Sequence, residues 1–229
     1  MGLKEAGLRG SLRSLSTDVT IIPDSGLLHS WTVSDTTGPI IDQEGTKDLS
    51  VVGGSFDETT AAWKDGVAFE ADGTDDRAEA DSTIVQDSFT VCQWVYPRTL
   101  EPTVQNILTN GTGPNHFPRL RIADSDEFEV SLNGSFDFER STGGPVDIDT
   151  LQLVSGRYDG STLELVKNTT QVASTSVSET SEVSDVFTWA DEFGGSDFPY
   201  DGFLDWGLFY NRRLDDSEIQ QIFDAHPST

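Results

Sequence analysis

From about Val19 onward, apolar residues recur in short runs separated by turn-forming clusters. In FTVCQWVYP (89–97), Phe89, Val91, Gln93 and Val95 alternate with Thr90, Cys92, Trp94 and Tyr96, and both sets are largely apolar. That pattern predicts a strand covered on both faces, the inner strand of a two-layer sandwich. QNILTNG (105–111), RLRIAD (119–124) and EFEVSLNG (127–134) read as further strands, with TGPNHFP (112–118) as a loop. Asn110-Gly111 and Asn133-Gly134 supply the positive φ values that tight turns need. In LQLVSGRYDGSTLELVKN (151–168), two β-runs meet at Asp159-Gly160, a strong hairpin signal. QVASTSVSETSEVSD (171–185) is polar and reads as an edge strand followed by a flexible connection. DGFLDWGLFYN (201–211) returns as a late core strand, and LDDSEIQQIFDAH (214–226) predicts a short helix. Asp215 caps that helix with Glu218 three residues on, and Ile219, Ile222 and Phe223 form its apolar stripe. Many short strands and one closing helix predict an all-β sandwich or jelly roll.

Charge changes the picture of the surface. Among 229 residues, 14 Lys and Arg face 40 Asp and Glu, a net charge of −26. Such a body does not bind nucleic acid through its bulk surface. Lysine is confined to Lys4, Lys47, Lys64 and Lys167, while aspartates are spread through turns and strand ends, as in a solvated coat suited to very high salt. The lone Cys92 excludes an internal disulfide. The chain start lacks the apolar run of a secretory signal, and no segment is long and apolar enough to span a bilayer, so synthesis in the cytoplasm without membrane insertion is expected.

Four segments, in this order and spacing, resemble the laminin-G-like, concanavalin A-like jelly rolls. They are AFEADGTDDRAEA (68–80), FTVCQWVYP, LVSGRYDGSTLELVKN (153–168) and YDGFLDWGLFYNRRLDDSEIQ (200–220). The resemblance implies one domain over 19–229: a two-sheet jelly-roll sandwich with a short C-terminal helix, preceded by an extended N-terminal arm over 1–18. It also implies that a structural calcium can be shared by Asp72 and Asp205; the alternative for the EADGTDD loop is a solvated turn.

Glycoside hydrolysis on such a fold needs two facing carboxylates. Asp147 with Asp149 and Glu127 with Glu129 have the strand period for it, but alternating carboxylates arise by chance in so acidic a chain, and no catalytic residue is assigned. Sugar binding needs aromatic faces beside polar groups. Two loops offer them: GTGPNHFPR (111–119), with His116, Phe117 and Arg119, and TWADEFGGSDFPYDG (188–202), with Trp189, Phe193, Phe198 and Tyr200.

Residues 1–17 place Leu3, Leu8, Leu12 and Leu15 among Lys4, Arg9 and Arg13. With Gly2, Gly7 and Gly10 present, this arm is too weak a helix to stand alone and is expected to order against an acidic partner. Arm, acidic coat and laminin-G-like body together resemble virion-surface proteins of tailed viruses that infect haloarchaea, such as turrets, decorations or tail fibres. The expectation is a non-enzymatic protein, assembled in the host cytoplasm and displayed on the virion surface. It would be anchored to virion structural proteins by the arm, bind host-surface glycan or S-layer glycoprotein through the jelly roll, and form a homo-oligomer, trimer or pentamer. A purely structural decoration protein and a polysaccharide-degrading enzyme are the alternatives.

Overall fold

A computed structural model describes residues 22–57, 67–81, 87–101, 104–112, 115–132, 139–177, 186–191 and 198–226. The expected arm, with Leu3, Lys4, Leu8, Arg9, Leu12, Arg13 and Leu15, lies outside these residues, as do Phe193 and Asn133-Gly134.

Two antiparallel sheets form a sandwich. Within the described residues the strands are β1 (Leu27–Thr32), β2 (Ile41–Asp42), β3 (Ser50–Val52), β4 (Ser55–Asp57), β5 (Ala68–Asp72), β6 (Arg77–Asp81), β7 (Phe89–Pro97) and β8 (Gln105–Thr112). They continue with β9 (Asn115–Ile122), β10 (Glu127–Leu132), β11 (Glu139–Pro145), β12 (Gln152–Tyr158), β13 (Thr162–Lys167), β14 (Thr170–Ser176), β15 (Val186–Trp189) and β16 (Asp201–Tyr210). A single helix, α1 (Asp216–Ala225), follows. The nine-stranded sheet runs β14-β13-β12-β7-β16-β1-β2, with β5 also pairing β16 and β4 pairing β5; the seven-stranded sheet runs β11-β10-β9-β8-β15-β6-β3.

The core between the sheets follows the alternation of the sequence. Phe89, Val91 and Val95 of β7 face Phe117 and Leu120 of β9, Phe128 and Val130 of β10, and Phe187 and Trp189 of β15. Trp31 of β1 stacks on Phe187 at 4.5 Å between ring centroids, joining the two layers. The opposite face of β7 carries Cys92 and Trp94, which with Leu208 and Tyr210 are covered by Ile219 and Ile222 of α1. FTVCQWVYP is therefore apolar on both faces because a sheet lies on one side and a helix on the other.

The helix starts where the sequence places it. Asp215 accepts from the Glu218 N–H, and the Glu218 carboxylate accepts from the Asp215 N–H at 3.0 Å, a complete capping box. Arg212 grips the same Glu218 through two bonds of 2.8 and 2.6 Å. Beneath the first turn the buried Arg157 pairs with Glu164 at 3.1 Å and Asp216 at 2.7 Å, tying α1 to β12 and β13. Ile22 packs at the rim of this apolar cluster, and His226 at the far end of α1 lies on Trp94, with ring centroids 4.3 Å apart.

One side of the sandwich is sealed. Thr175 Oγ1 on β14 donates to the Arg140 carbonyl on β11 at 2.8 Å, and Gly143 and Gly144 leave room for Val172 where a side chain would collide. On the other side, where the short strands β2 and β3 end the two sheets, Ile40 and Leu49 exchange backbone hydrogen bonds of 2.9 Å each.

Two expected turns belong to strands instead. Asn110-Gly111 sits inside β8, where the register shifts between Thr109 and Gly111, because Asn110 pairs with Phe187 across to β15. TGPNHFP is largely strand β9, so most of the expected loop is sheet. The Asp159-Gly160 hairpin forms as read, with Gly160 at φ 95° and Asp159 Oδ1 accepting from the Ser161 and Thr162 N–H groups.

Candidate functional site

On the seven-stranded sheet, each strand that points an apolar residue into the core points its neighbours outward. The outward residues of seven strands stand opposite one another in one row. Arg140 faces Ser131, Ser131 faces Arg119, Arg119 faces Thr109, Thr109 faces Thr188, Thr188 faces Glu79 and Glu79 faces Ser50. At about 4.8 Å per strand this row is about 29 Å long. It is buried at its centre, from Ser131 to Thr188, and open towards Ser50.

At the open end a cleft of about 400 Å³ is lined by Thr46, Lys47, Asp48, Ser50, Glu79 and Asp81, with Ala80 and Val186 also on its wall. Its volume is that of a small-ligand site. Thr188, directly across from Glu79 on the same face, is fully buried, and its hydroxyl has no hydrogen-bond partner among the described residues. Thr188 is sealed beneath the sheet surface and does not itself line the cleft. Glu79 is held by Arg77 at 2.8 Å, whereas Asp81 is exposed at the end of β6.

The wall that carries Thr46, Lys47 and Asp48 is fixed from below by Asp42. Its carboxylate accepts from the N–H groups of Ser30 (3.1 Å), Glu44 (3.3 Å), Gly45 (3.0 Å) and Lys47 (3.1 Å) and lies 2.7 Å from His29 Nδ1. Burial alone would raise this carboxyl, but the His29 contact and the Gly45, Ser30 and Lys47 N–H groups outweigh it and hold the group below its ordinary value. Gly45 is required for close approach, since a Cβ there would meet His29 Nδ1 at 2.7 Å. Trp31 Nε1 donates to the Lys47 carbonyl at 2.7 Å, and Asp48 accepts from the Asp42 N–H at 2.9 Å. The loop is thus rigid although it has no regular structure.

The residues expected to bind sugar lie elsewhere. Phe117, Trp189 and Tyr200 are core residues, at 2%, 0% and 0% exposure, and offer no ring face to solvent. Their aromaticity serves the sandwich. Arg119 is buried on the outer row, with Nε donating to Ser131 Oγ at 3.4 Å. His116 lies on β9, but its side chain falls outside the described residues, like Phe193. Phe198 is half-buried, and its carbonyl accepts from the Asn106 N–H at 2.8 Å.

The carboxylate pairs are separated as well. Asp72 stands opposite Asp201, which puts Asp205 four residues, about 13 Å, farther along β16. A bulge after Asp205 turns its carboxylate to the Trp206 N–H (2.8 Å) and His226 Nε2 (3.3 Å), so the shared calcium pair expected from the resemblance is not assembled. Among the described residues, no three His, Cys, Asp or Glu side chains are grouped to hold a metal ion. Asp147 and Asp149 fall in a turn after β11, where Asp147 binds Lys167 at 2.7 Å. Glu129 is buried between Arg121 (2.7 Å), Arg140 (3.6 Å) and Thr142 (3.1 Å).

Sequence reasoning missed the cleft. One signal was available: in RAEAD (77–81) charged residues alternate strictly with alanine, marking Arg77, Glu79 and Asp81 as one outward face. Nothing local in the sequence brings 46–50 to that face.

Comparison with known proteins agrees with this architecture. Residues 72–220 match the laminin G profile of the "Concanavalin A-like lectin/glucanases superfamily". No curated protein sequence matches the chain. Among solved structures, the binding domain of Paraclostridial Mosquitocidal Protein 1 superposes with a TM-score of 0.70 at 14% identity, covering 87% of this chain and 52% of that one. The botulinum neurotoxin serotype C1 binding domain gives 0.67 at 11% identity, with the same coverages of 87% and 52%. Trypanosoma rangeli sialidase, solved in complex with sialic acid, gives 0.66 at 16% identity over 88% of this chain and 33% of the enzyme. The chain thus spans about a third of the sialidase and about half of each toxin binding domain, and at these identities the likeness is one of fold. Profile match and two-sheet architecture together place the chain in the concanavalin A-like lectin/glucanases superfamily, as a laminin-G-like jelly roll.

Proposed function

We propose that this chain is a non-enzymatic glycan-binding module that uses the cleft at the β6–β3 end of the seven-stranded sheet. The observation that carries the reading is the cleft itself: carboxylates, an ammonium and two hydroxyls converge on it. Carboxylates accept from adjacent sugar hydroxyls and Lys47 donates, which is the polar half of saccharide recognition. Superfamily membership supports the same reading, since the family description joins lectins with glucanases. The non-enzymatic part is supported by the carboxylate pairs: Asp147 and Glu129 are engaged by cations, and Asp149 sits in a turn.

The finer proposal concerns where the module works. Residues 1–17 anchor the chain to the structural proteins of a haloarchaeal virus particle, and the jelly roll meets host-surface glycan or S-layer glycoprotein. The supports are the leucine-spaced basic arm and the net charge of −26. The cleft is shallow and has no aromatic ring on its wall among the described residues, so each site binds weakly and a trimer or pentamer supplies avidity.

The direct test is a glycan array probed with the full chain and with Ser50→Trp. Ser50 is exposed on an edge strand, so tryptophan fills the cleft without entering the core. Retention of a glycan by the wild type and its loss in S50W are expected; equal retention by both would remove the cleft from the function. Separately, deleting residues 1–17 is expected to abolish co-sedimentation with particles while leaving glycan retention intact.

A further inference from the structure

Resting on the glycan-binding reading, we propose that the cleft selects saccharide units that are neutral or carry a free ammonium group, disfavours uronate and sulfated units, and uses Asp81 as the specificity-determining residue. Charge placement argues this. Of the three carboxylates on the wall, Glu79 is already matched by Arg77 at 2.8 Å. Asp48 is exposed, and one of its oxygens accepts the Asp42 N–H at 2.9 Å. Asp81 is exposed and has no ion pair among the described residues. Against Asp48 and Asp81 the described residues of the wall set one ammonium, Lys47, so their unmatched charge is negative. A carboxylate or sulfate entering there meets like charge at contact distance, where even molar salt screens incompletely. An ammonium entering there finds an open acceptor.

Position singles out Asp81. It terminates β6, opposite Val186 at the start of β15, so it stands at the cleft mouth with its charge exposed. Asp48 is committed to the loop it closes, and Glu79 to Arg77. Exchanging the Asp81 charge alters selectivity without disturbing the scaffold.

The experiment titrates the full chain and Asp81→Asn with three probes: oligomers of glucosamine, of N-acetylglucosamine and of galacturonate, each at 0.15 M and 2 M KCl. An exposed carboxylate–ammonium contact is worth about 0.2–1 kcal/mol, so glucosamine oligomers are expected to bind about 1.5- to 5-fold tighter than their acetylated counterparts at the lower salt. Galacturonate is expected to bind worst. D81N should bring the glucosamine preference close to unity and raise galacturonate binding, and 2 M KCl should compress the same ratios in the wild type. Galacturonate binding equal to or tighter than the neutral probe, or a glucosamine preference unchanged in D81N, overturns the selectivity while the glycan-binding reading stands. If the full chain retains no glycan on the array or in these titrations, the glycan-binding reading fails and the selectivity fails with it.

Discussion

Two buried aspartates show how the same side chain takes opposite parts. Asp42 is a hub whose ionised form is stabilised by His29 and backbone N–H groups, against the cost of burial. Asp76 accepts from the Gly54 and Asp72 N–H groups, yet burial and the nearby carboxylates of Asp72 and Asp75 hold its carboxyl above the ordinary value. The signs differ accordingly. Asp42 contributes stability that is full above its unfolded value of 3.8 and is lost as pH falls through its lower folded value. Asp76 costs stability when ionised, and that cost is relieved as pH falls from its raised value towards 3.8. Asp42→Asn is expected to cost about 1–3 kcal/mol at pH 7, because the hydrogen bonds it weakens are to a charged acceptor. Thermal melts from pH 7 to pH 3 check this: the gap between wild type and D42N should narrow as the wild-type carboxylate is protonated. Neither role was legible in the sequence. Both aspartates sit among other acids in turn-like segments, and only the folded backbone decides which N–H groups converge on them.

At the scale of elements, α1 is the most legible part of the molecule. Asp215, Glu218, Ile219 and Ile222 announce start and face together, and the structure uses all four. β7 and the β12–β13 hairpin were equally plain because their alternation is long and uninterrupted. The turn signals at Asn110-Gly111 misled because a dipeptide reports local preference only, and the pairing of β8 with β15 overrides it. The cleft was hidden for a related reason: its lining comes from 46–50, 79–81 and 186, three segments with no shared local pattern.

The helix also carries two quantitative expectations. Asp215→Ala should cost about 1 kcal/mol by removing the cap, and Ile222→Ala about 2–5 kcal/mol by opening a void over Trp94 and Leu208. Cys92 lies under this helix, where burial pushes its thiol up to about 12. Its labelling rate therefore reports helix undocking: thiol-reactive dye should leave the wild type unmodified and label I222A measurably faster. Equal rates would mean that α1 does not cover the strand.

Across the whole molecule, 40 acidic residues against 14 basic ones bring like charges close together. At an ionic strength of 1 M the Debye length is about 3 Å, so this repulsion is relieved by salt that would leave a balanced protein indifferent. The melting temperature is expected to rise between 0.1 M and 2 M KCl, and a flat profile would remove the high-salt reading of the acidic coat. The internal ion pairs of Arg157 and Arg212 should survive such salt, since they are partly or wholly withdrawn from it.

Ile22 and His226, the first and last described residues, both lie against the outer layer of the nine-stranded sheet, whereas the cleft opens on the seven-stranded one. The module therefore has a back and a front. A support that grips the described body at Ile22 or His226 holds it by the back, with the cleft on the other sheet. Copies held this way on one support would present their clefts together, at a spacing set by the support. Such spacing, more than the strength of any single contact, would decide which multivalent surfaces retain the array.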